Sequence, residues 1–382
     1  MDQTSILGTP LEGHVSADAI EAALAASWQR VHPSADSGYP AVRASVLSLV
    51  VRIADRRRTS EILAAIRRMS RQHPSRTIIL LPGVESSGNL VRAWHDTRCY
   101  GTPEQDRFVC AEQVLLEAQG HASNYLRSLA DQLMLTDLPS FLWWVGNLPA
   151  AEDPLFDRLS ALSDRLIVDS SDFATLTRSL ARLSYLARRR HLPCAPSDLN
   201  WARLTHWRAL VAQFFDASSI LPYLSQVNAV SIEFNLRTPA AGRAQALFLI
   251  SWLASQLNWR IDAPTALRRA DRIEGGIRRR DGRRVVVNAR GVEGGQLDGL
   301  IHLEMAAGHS AKFRVTRQPD GAYAQTEADI VGASPIKRVV RFASPDLSSL
   351  LSDELVLFRR DNVYEAALDA AVALTGGVSH PF

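Results

Sequence analysis

The chain has 382 residues, too many for one ordinary hydrophobic core, and this length predicts two domains. Hydrophobic residues make up 46% and charged residues 22%, as in globular proteins, and no apolar run approaches the roughly 20 residues that a membrane helix needs. The net charge is +3, and the three cysteines are too few for a disulfide scaffold, which favours a reducing compartment.

Nearly all of the positive charge is arginine, and the clusters at Arg56–Arg58, Arg188–Arg190 and Arg278–Arg280 are scattered among carboxylates. This pattern indicates solvated surface, with an anionic partner or substrate as the alternative. There is no basic stripe interleaved with aromatic residues, so we expect no nucleic acid as a partner. The start MDQTSILGTPLEGH lacks the basic and apolar stretches of a secretory signal, so we expect a cytoplasmic protein that binds no membrane.

The N-terminal half alternates helices with apolar strands. Helices are predicted at Ser16–Val31, Thr59–Gln72 and His121–Leu135, and strands at Ala41–Ile53 and Arg76–Leu81. Such alternation is typical of a sheet covered by helices on both faces.

A β-hairpin is predicted on the edge of this sheet, because the runs Leu90–Tyr100 and Arg107–Gly120 flank the turn sequence GTPEQD. A turn about Pro103–Asp106 sets Cys99 opposite Cys110. Opposed Cβ atoms lie about 4.5–5.5 Å apart and a disulfide needs about 3.5–4.5 Å, so a bond is just feasible. Two buried reduced cysteines are one interpretation, and a redox pair is the other.

The segment after these elements predicts a strand–helix–strand crossover. Ser140–Val145 is an apolar run, Leu155, Leu159 and Leu162 then recur at helical spacing, and Arg165–Asp169 is a second apolar run. Such a crossover joins parallel strands that are buried on both faces.

Trp143 and Trp144 are adjacent in the first of these strands, so their side chains point to opposite faces. One ring could lie in a cleft or at a partner surface. Alternatively, helices on both faces of the sheet bury both rings.

A linker is predicted at His191–Asn200, which carries two prolines and little apolar content. It divides the chain into an N-terminal domain, residues 1–190, and a C-terminal domain, residues 201–382. Within the latter, Ala270–Gly282 is polar and contains glycine, and is predicted to be a loop.

The C-terminal domain reads as strands followed by helices. Arg283–Phe342 holds successive β-like runs, and Asp346–Phe358 and Asn362–Leu374 are predicted helices. We therefore predict an α/β protein: a Rossmann-like, doubly wound N-terminal sheet with an antiparallel edge hairpin, then an α+β domain whose antiparallel sheet is packed by helices.

Motifs for nucleotide binding are missing from the sequence. The first strand continues into ADRRRT, and no Gly-x-Gly-x-x-Gly or phosphate loop follows any predicted strand. No Gly-x-Ser-x-Gly elbow is present. His302 with Glu304, and Cys194 with His191, are too sparse for a metal site, so we expect neither a metal nor a cofactor.

A polar turn follows the strand that ends near Asp169, at the edge where doubly wound sheets bind ligands. Its residues Ser170, Ser171 and Asp172 form a candidate anion pocket. The simpler interpretation is that Ser171 or Asp172 caps the next helix.

Four blocks together resemble the glucose-6-phosphate dehydrogenase assembly protein family (OpcA). They are DLPSFLWWVGNLPAAEDPLFDRLSALSDRLIVDSSD at 137–172, HPSRTIILLP at 73–82, CAEQVLLEAQG at 110–120 and DLNWARLTHWRALVAQFFD at 198–216. The resemblance implies a protein that is not an enzyme. It would bind the oligomeric dehydrogenase and promote its assembly and activity in the oxidative pentose phosphate pathway.

Exposed aromatic residues dominate the energy of many interfaces, so Trp143, Trp144, Trp201 and Trp207 are candidate partner contacts. Some members of the family carry a cysteine pair near the C-terminus, whereas this chain has no cysteine after Cys194. The alternative function is an enzyme or sensor that binds a phosphosugar or nucleotide at the C-terminal edge of the N-terminal sheet.

Overall fold

A computed structural model of the chain describes residues 7–31, 41–43, 45–83, 90–101, 108–149, 152–189, 194–263, 272–342, 344–357 and 359–377. The chain divides into two compact units, and each is built from three chain segments. The first unit comprises Met1–Val168, Arg190–Pro196 and Leu347–Arg360, and the second comprises Asp169–Arg189, Ser197–Asp346 and Asp361–Phe382.

Strands and helices are numbered in chain order. The strands are β1 Thr9–Pro10, β2 Ala41–Arg43, β3 Leu47–Ile53, β4 Ser75–Pro82, β5 Val91–Tyr100, β6 Phe108–Ala118, β7 Ser140–Val145, β8 Arg165–Val168, β9 Ala195–Asp198, β10 Ala229–Asn235, β11 Arg260–Ala263, β12 Arg272–Arg278, β13 Arg284–Val292, β14 Leu300–Ala307, β15 Ala311–Arg317, β16 Tyr323–Ile330 and β17 Ile336–Arg341. The helices are α1 Ala17–Val31, α2 Thr59–Met69, α3 Ser123–Leu133, α4 Pro154–Leu162, α5 Leu176–Arg188, α6 Leu199–Ala202, α7 Thr205–Gln213, α8 Leu221–Leu224, α9 Pro239–Gln256, α10 Leu347–Leu355 and α11 Asn362–Thr375.

The sheet of the first unit has the order β1-β5-β6-β4-β3-β7-β8-β9, and β2 pairs with β6. Strands β6, β4, β3, β7 and β8 run parallel to one another. Strand β5 pairs with β6 in the antiparallel direction, so the predicted edge hairpin is confirmed. The order from β6 to β9 is that of a doubly wound Rossmann sheet, as predicted.

Burial explains why the central strands read as continuous apolar runs. Every residue of β7 is buried, and β3 and β4 each have one residue that is not. Parallel strands that are covered on both faces lack the alternation of a half-exposed strand. Helix α10, from the C-terminal end of the sequence, also belongs to the first unit, where Arg68 of α2 donates to the Ser348 hydroxyl at 3.3 Å.

The sheet of the second unit has the order β11-β12-β13-β10-β14-β15-β16-β17. Its pairs are antiparallel except for β10 with β13. Buried and accessible residues alternate along β13, β15 and β16, so one face carries the core and the other is solvated. The predicted α+β class is confirmed.

Strands occur within the predicted linker and within the predicted loop. Part of the predicted linker is strand β9, where the Ala195 N–H donates to the Asp164 carbonyl at 2.9 Å. Proline is tolerated there because β9 ends the sheet and needs fewer backbone donors. The predicted loop at Ala270–Gly282 is wrong within the described residues, since it contains β12, which pairs with both β11 and β13.

No helix in the described ranges combines the length and the apolar character that crossing a membrane requires.

Candidate functional site

In the first unit, the chain order of the strands reverses beside β3: β4 lies on one side of it and β7 on the other. Ligands of doubly wound sheets bind beyond the carboxyl ends of the strands at such a switch point. The turns that follow β3 and β7 are therefore the places to test for a nucleotide site.

In the described part of each turn, an aspartate side chain accepts backbone N–H groups. Asp55 Oδ1 accepts the Arg57 N–H at 3.0 Å, and Asp153 Oδ1 accepts the N–H groups of Leu155 and Phe156 at 2.9 and 3.0 Å. Backbone donors at a helix start are the groups that hold a phosphate in nucleotide-binding folds. The side-chain hydrogen bond from Arg57 lowers the pKa of Asp55, so the cap is an anion at neutral pH. These turns do not fit a dinucleotide phosphate.

In the second unit, two further aspartate side chains accept backbone N–H groups at the start of a turn or helix. Asp169 Oδ1 accepts the Ser171 N–H at 3.1 Å and starts a short 3₁₀ turn, Ser170–Asp172. Asp198 Oδ1 accepts the Ser170 and Asn200 N–H groups, both at 2.9 Å, and begins α6. Asp169 therefore has the capping role that was predicted for Ser171 or Asp172.

Arg203 forms a two-point ion pair with Asp169. Its Nη1 and Nη2 atoms donate to Oδ1 and Oδ2 at 2.9 and 2.8 Å. Burial opposes ionisation of Asp169, but the charge and hydrogen bonds of Arg203 outweigh it and hold the pKa of this carboxyl below its ordinary value. The guanidinium is consequently neutralised inside the unit.

Asp198 has the opposite protonation behaviour. Its side chain is fully buried, and burial together with the repulsion from Asp169 raises its pKa to about 7. Its Oδ2 atom has no hydrogen-bond partner among the described residues. Asp198 is therefore a buried acid that exchanges its proton near neutral pH.

Buried amides complete this acidic cluster, which we define as Asp169, Asp198, Asn200, Arg203 and Gln245. Asn200 accepts from Gln245 Nε2 at 2.8 Å and donates to the Ser170 hydroxyl at 3.1 Å. Gln245 in turn accepts the Leu300 N–H of β14 at 3.1 Å. The cluster links β14, α6 and α9 of the second unit.

The acidic cluster does not favour the predicted anion pocket. Ser170 is buried, and Ser171 uses its hydroxyl to donate to Asp169. Asp172 lies in the same 3₁₀ turn. Arg203 already pairs with Asp169, so the acidic cluster offers no unpaired cation to an incoming anion. Sequence reasoning missed Asp198 and Arg203, although Asp198 before an apolar helix is a capping signal.

All four tryptophans proposed as partner contacts are buried within the chain. Trp143 and Trp144 are each 1% exposed, and Trp201 and Trp207 are 3% and 2% exposed. The alternative interpretation for the adjacent pair, burial of both rings, is the one observed. The prediction that these residues are surface contacts is wrong. Helices cover both faces of the first sheet and bury Trp143 and Trp144, and the rings of Trp201 in α6 and Trp207 in α7 point into the core of the second unit.

The hairpin pairs Cys99 directly with Cys110, as its sequence predicts, and the two sulfur atoms form a disulfide. The predicted turn at Pro103–Asp106 lies outside the described residues. The remaining cysteine, Cys194, is buried, and burial raises the pKa of its thiol to about 12. That thiol is protonated and unreactive at neutral pH.

His302 and Glu304, the weak candidates for a metal site, form hydrogen bonds with other side chains. His302 shares a hydrogen bond with Thr316 at 2.8 Å, and Glu304 accepts from Arg314 at 2.7 Å. Among the described residues, no group of three His, Cys, Asp or Glu side chains could hold a metal ion. His191 lies outside the described residues.

Two protein families match most of the chain. Residues 66–185 match the family described as glucose-6-phosphate dehydrogenase subunit N-terminal domain, and residues 194–368 match the corresponding C-terminal domain.

Three relatives that carry the name "Putative OxPP cycle protein OpcA" are similar to this chain. The Synechocystis protein is 33% identical over 49% of this chain and 38% of its own length, and the Nostoc punctiforme protein 32% over 49% and 39%. The Synechococcus elongatus protein is 28% identical over 79% of this chain and 68% of its own length. The first two matches thus span about two fifths of the relatives' length.

Solved structures of oxidoreductases show a distant likeness. One from Sinorhizobium meliloti has a TM-score of 0.48 and 12% identity over 88% of this chain and 98% of its own. Biliverdin reductase from Synechocystis sp. PCC 6803, in complex with biliverdin and NADP+, has a TM-score of 0.45 and 8% identity over 88% and 99%.

Proposed function

The chain belongs to the OpcA family of glucose-6-phosphate dehydrogenase assembly proteins, and on that premise we propose that it binds this dehydrogenase and promotes its active oligomer. The observation that carries the proposal is the match of both halves of the chain to domains described as parts of a dehydrogenase subunit. The relatives' names, which refer to the OxPP cycle, support the same pathway.

We further propose that the chain contributes binding and not catalysis. The turns beyond β3 and β7 support this, because Asp55 and Asp153 occupy the donors that a phosphate of a nucleotide cofactor would need. Asp169 and Arg203 support it as well, since each satisfies the other instead of facing a substrate. The reactive groups of the acidic cluster serve the fold of the second unit.

An activator must bind the active form of the dehydrogenase more tightly than the inactive form. A tenfold rise in apparent substrate affinity requires about 1.4 kcal/mol of differential binding. A few well-placed contacts supply that amount. The chain therefore needs no active site to have a large kinetic effect.

A titration of the purified chain into its cognate dehydrogenase tests the proposal. NADPH production is followed by absorbance at several glucose-6-phosphate concentrations, with the chain alone and the dehydrogenase alone as controls. We expect a saturable rise in rate at low substrate and no turnover by the chain alone. Turnover by the chain alone would favour an enzyme, and unchanged dehydrogenase kinetics together with no complex would refute the proposal.

A further inference from the structure

Strand β17 is an open edge of the sheet in the second unit. It pairs with β16 and ends the strand order among the described residues. An edge strand leaves a row of backbone N–H and C=O groups without partners, which is a template for another strand. Its side chains are accessible on both faces: Ile336 is 47% exposed on one and Val339 is 66% exposed on the other.

A groove of about 470 Å³ with both polar and apolar lining runs beside this edge, and its charged lining residues are Asp216 and Arg338. One wall is formed by Leu210, Phe214 and Ile220, in and after α7, and the other by Ile336 and Val340 of β17. The inward side of the strand therefore remains accessible along the groove. We call β17 and this groove the edge groove.

The strand carries three cations and no carboxylate. Lys337 Nζ lies 3.5 Å from Glu327 Oε1 of β16, whereas Arg338 and Arg341 have no ion pair among the described residues. Arg338 lines the groove, and Arg341 points to the other face together with Lys337. An occupant with carboxylates on both of its faces would therefore complement the edge.

A second copy of the chain is a poor occupant. Two β17 strands side by side would bring six cations together without a carboxylate on either strand. Like charges at such a distance are destabilising in a strand pair. The partner that fits is a different protein with an extended acidic segment.

We propose that the edge groove binds an extended, acidic segment of the dehydrogenase by strand addition to β17, an inference that rests on the proposed function. Main-chain hydrogen bonds to β17 supply affinity, and alternate side chains supply specificity. Apolar residues of the segment enter the groove against Phe214 and Ile336. Its carboxylates meet Arg338 at the groove and Arg341 on the opposite face.

The test compares two double variants of the full chain with equal change of charge. Arg338→Glu with Arg341→Glu reverses two positive charges of the edge groove. Arg280→Glu with Arg284→Glu is the control. All four side chains are exposed. Arg284 begins β13 and Arg280 lies in the turn before it. Strands β13 and β17 are five strand spacings apart, about 24 Å, so the control substitutions lie away from the edge groove. Affinity for the cognate dehydrogenase is measured by calorimetry.

The edge-groove variant should bind at least tenfold more weakly, and the control should bind like the unmodified chain. Hydrogen–deuterium exchange of the unmodified chain provides a second measurement, in which the dehydrogenase should slow exchange of the Ile336–Arg341 amides. Equal weakening of both variants, or unchanged exchange in a formed complex, would refute the docking site and leave the proposed function standing. Slowed exchange at high chain concentration without the dehydrogenase would indicate a second copy and overturn the inference. Failure of the unmodified chain to bind would refute both.

Discussion

Replacing Asp198 with asparagine should remove a pH dependence that is built into the second unit. The pKa of Asp198 rises from 3.8 to about 7 in the folded chain because the carboxyl is buried beside Asp169. Between these two values the folded state holds a proton that the unfolded state has lost. Stability is therefore greatest below the unfolded value and falls as the pH rises toward 7.

The size of this effect follows from the same two values. One pKa unit corresponds to about 1.4 kcal/mol, so the free energy of unfolding should fall by about 3 kcal/mol between pH 5 and pH 8. The amide introduced by the substitution cannot ionise, and it keeps an oxygen that accepts from the N–H groups of Ser170 and Asn200. The Asp198→Asn chain should therefore lack this fall and be the more stable of the two at pH 8.

Urea denaturation at pH 5, 6, 7 and 8, followed by circular dichroism, measures the effect. Asp137→Asn is the matched control, because Asp137 is exposed and the substitution makes the same change of charge. The control should follow the pH profile of the unmodified chain. A profile of Asp198→Asn that is parallel to the unmodified chain would refute the assignment of the buried proton to Asp198.

Arg203→Met leaves Asp169 buried without its cation, so the free energy of unfolding at pH 7 should fall by about 3–5 kcal/mol. Arg203→Lys restores the charge but not the two-point contact, and it should recover part of the lost free energy of unfolding. If Arg203→Met unfolds like the unmodified chain, the ion pair does not hold the acidic cluster together. Non-reducing peptide mass spectrometry of air-oxidised protein should find Cys99 linked to Cys110, and free thiols at both positions would contradict the pairing. Because the bond closes a loop with a sequence separation of 11, its reduction should lower stability by at most about 3 kcal/mol.

Local pattern was sufficient to predict most of the fold. The apolar runs of β3, β4 and β7 indicate parallel strands, and the turn sequence between Tyr100 and Phe108 indicates the edge hairpin. The loop predicted at Ala270–Gly282 was wrong because Gly275 and Gly276 read as turn residues, although pairing with neighbours on both sides fixes β12 as a strand. Tertiary pairing overrides the low strand propensity of glycine there.

The acidic cluster could not be predicted, because its contacts join residues far apart in the chain. Arg203 pairs with Asp169 across 34 residues, and Gln245 reaches Asn200 across 45. The capping role of Asp198 was available from local sequence, but its burial and its raised pKa were not. The four tryptophans illustrate the same point. Their residue type made them candidates for an interface, and only the packing shows that they are core residues.

Co-elution of the chain with its cognate dehydrogenase tests the central claim most directly. The mixture and each protein alone are separated by gel filtration with light scattering, and dehydrogenase activity is assayed across the fractions. We predict one species that contains both proteins, with a mass equal to a whole number of each, and with higher activity at low substrate than the dehydrogenase alone. Separate elution of the two proteins, with activity unchanged, would contradict it.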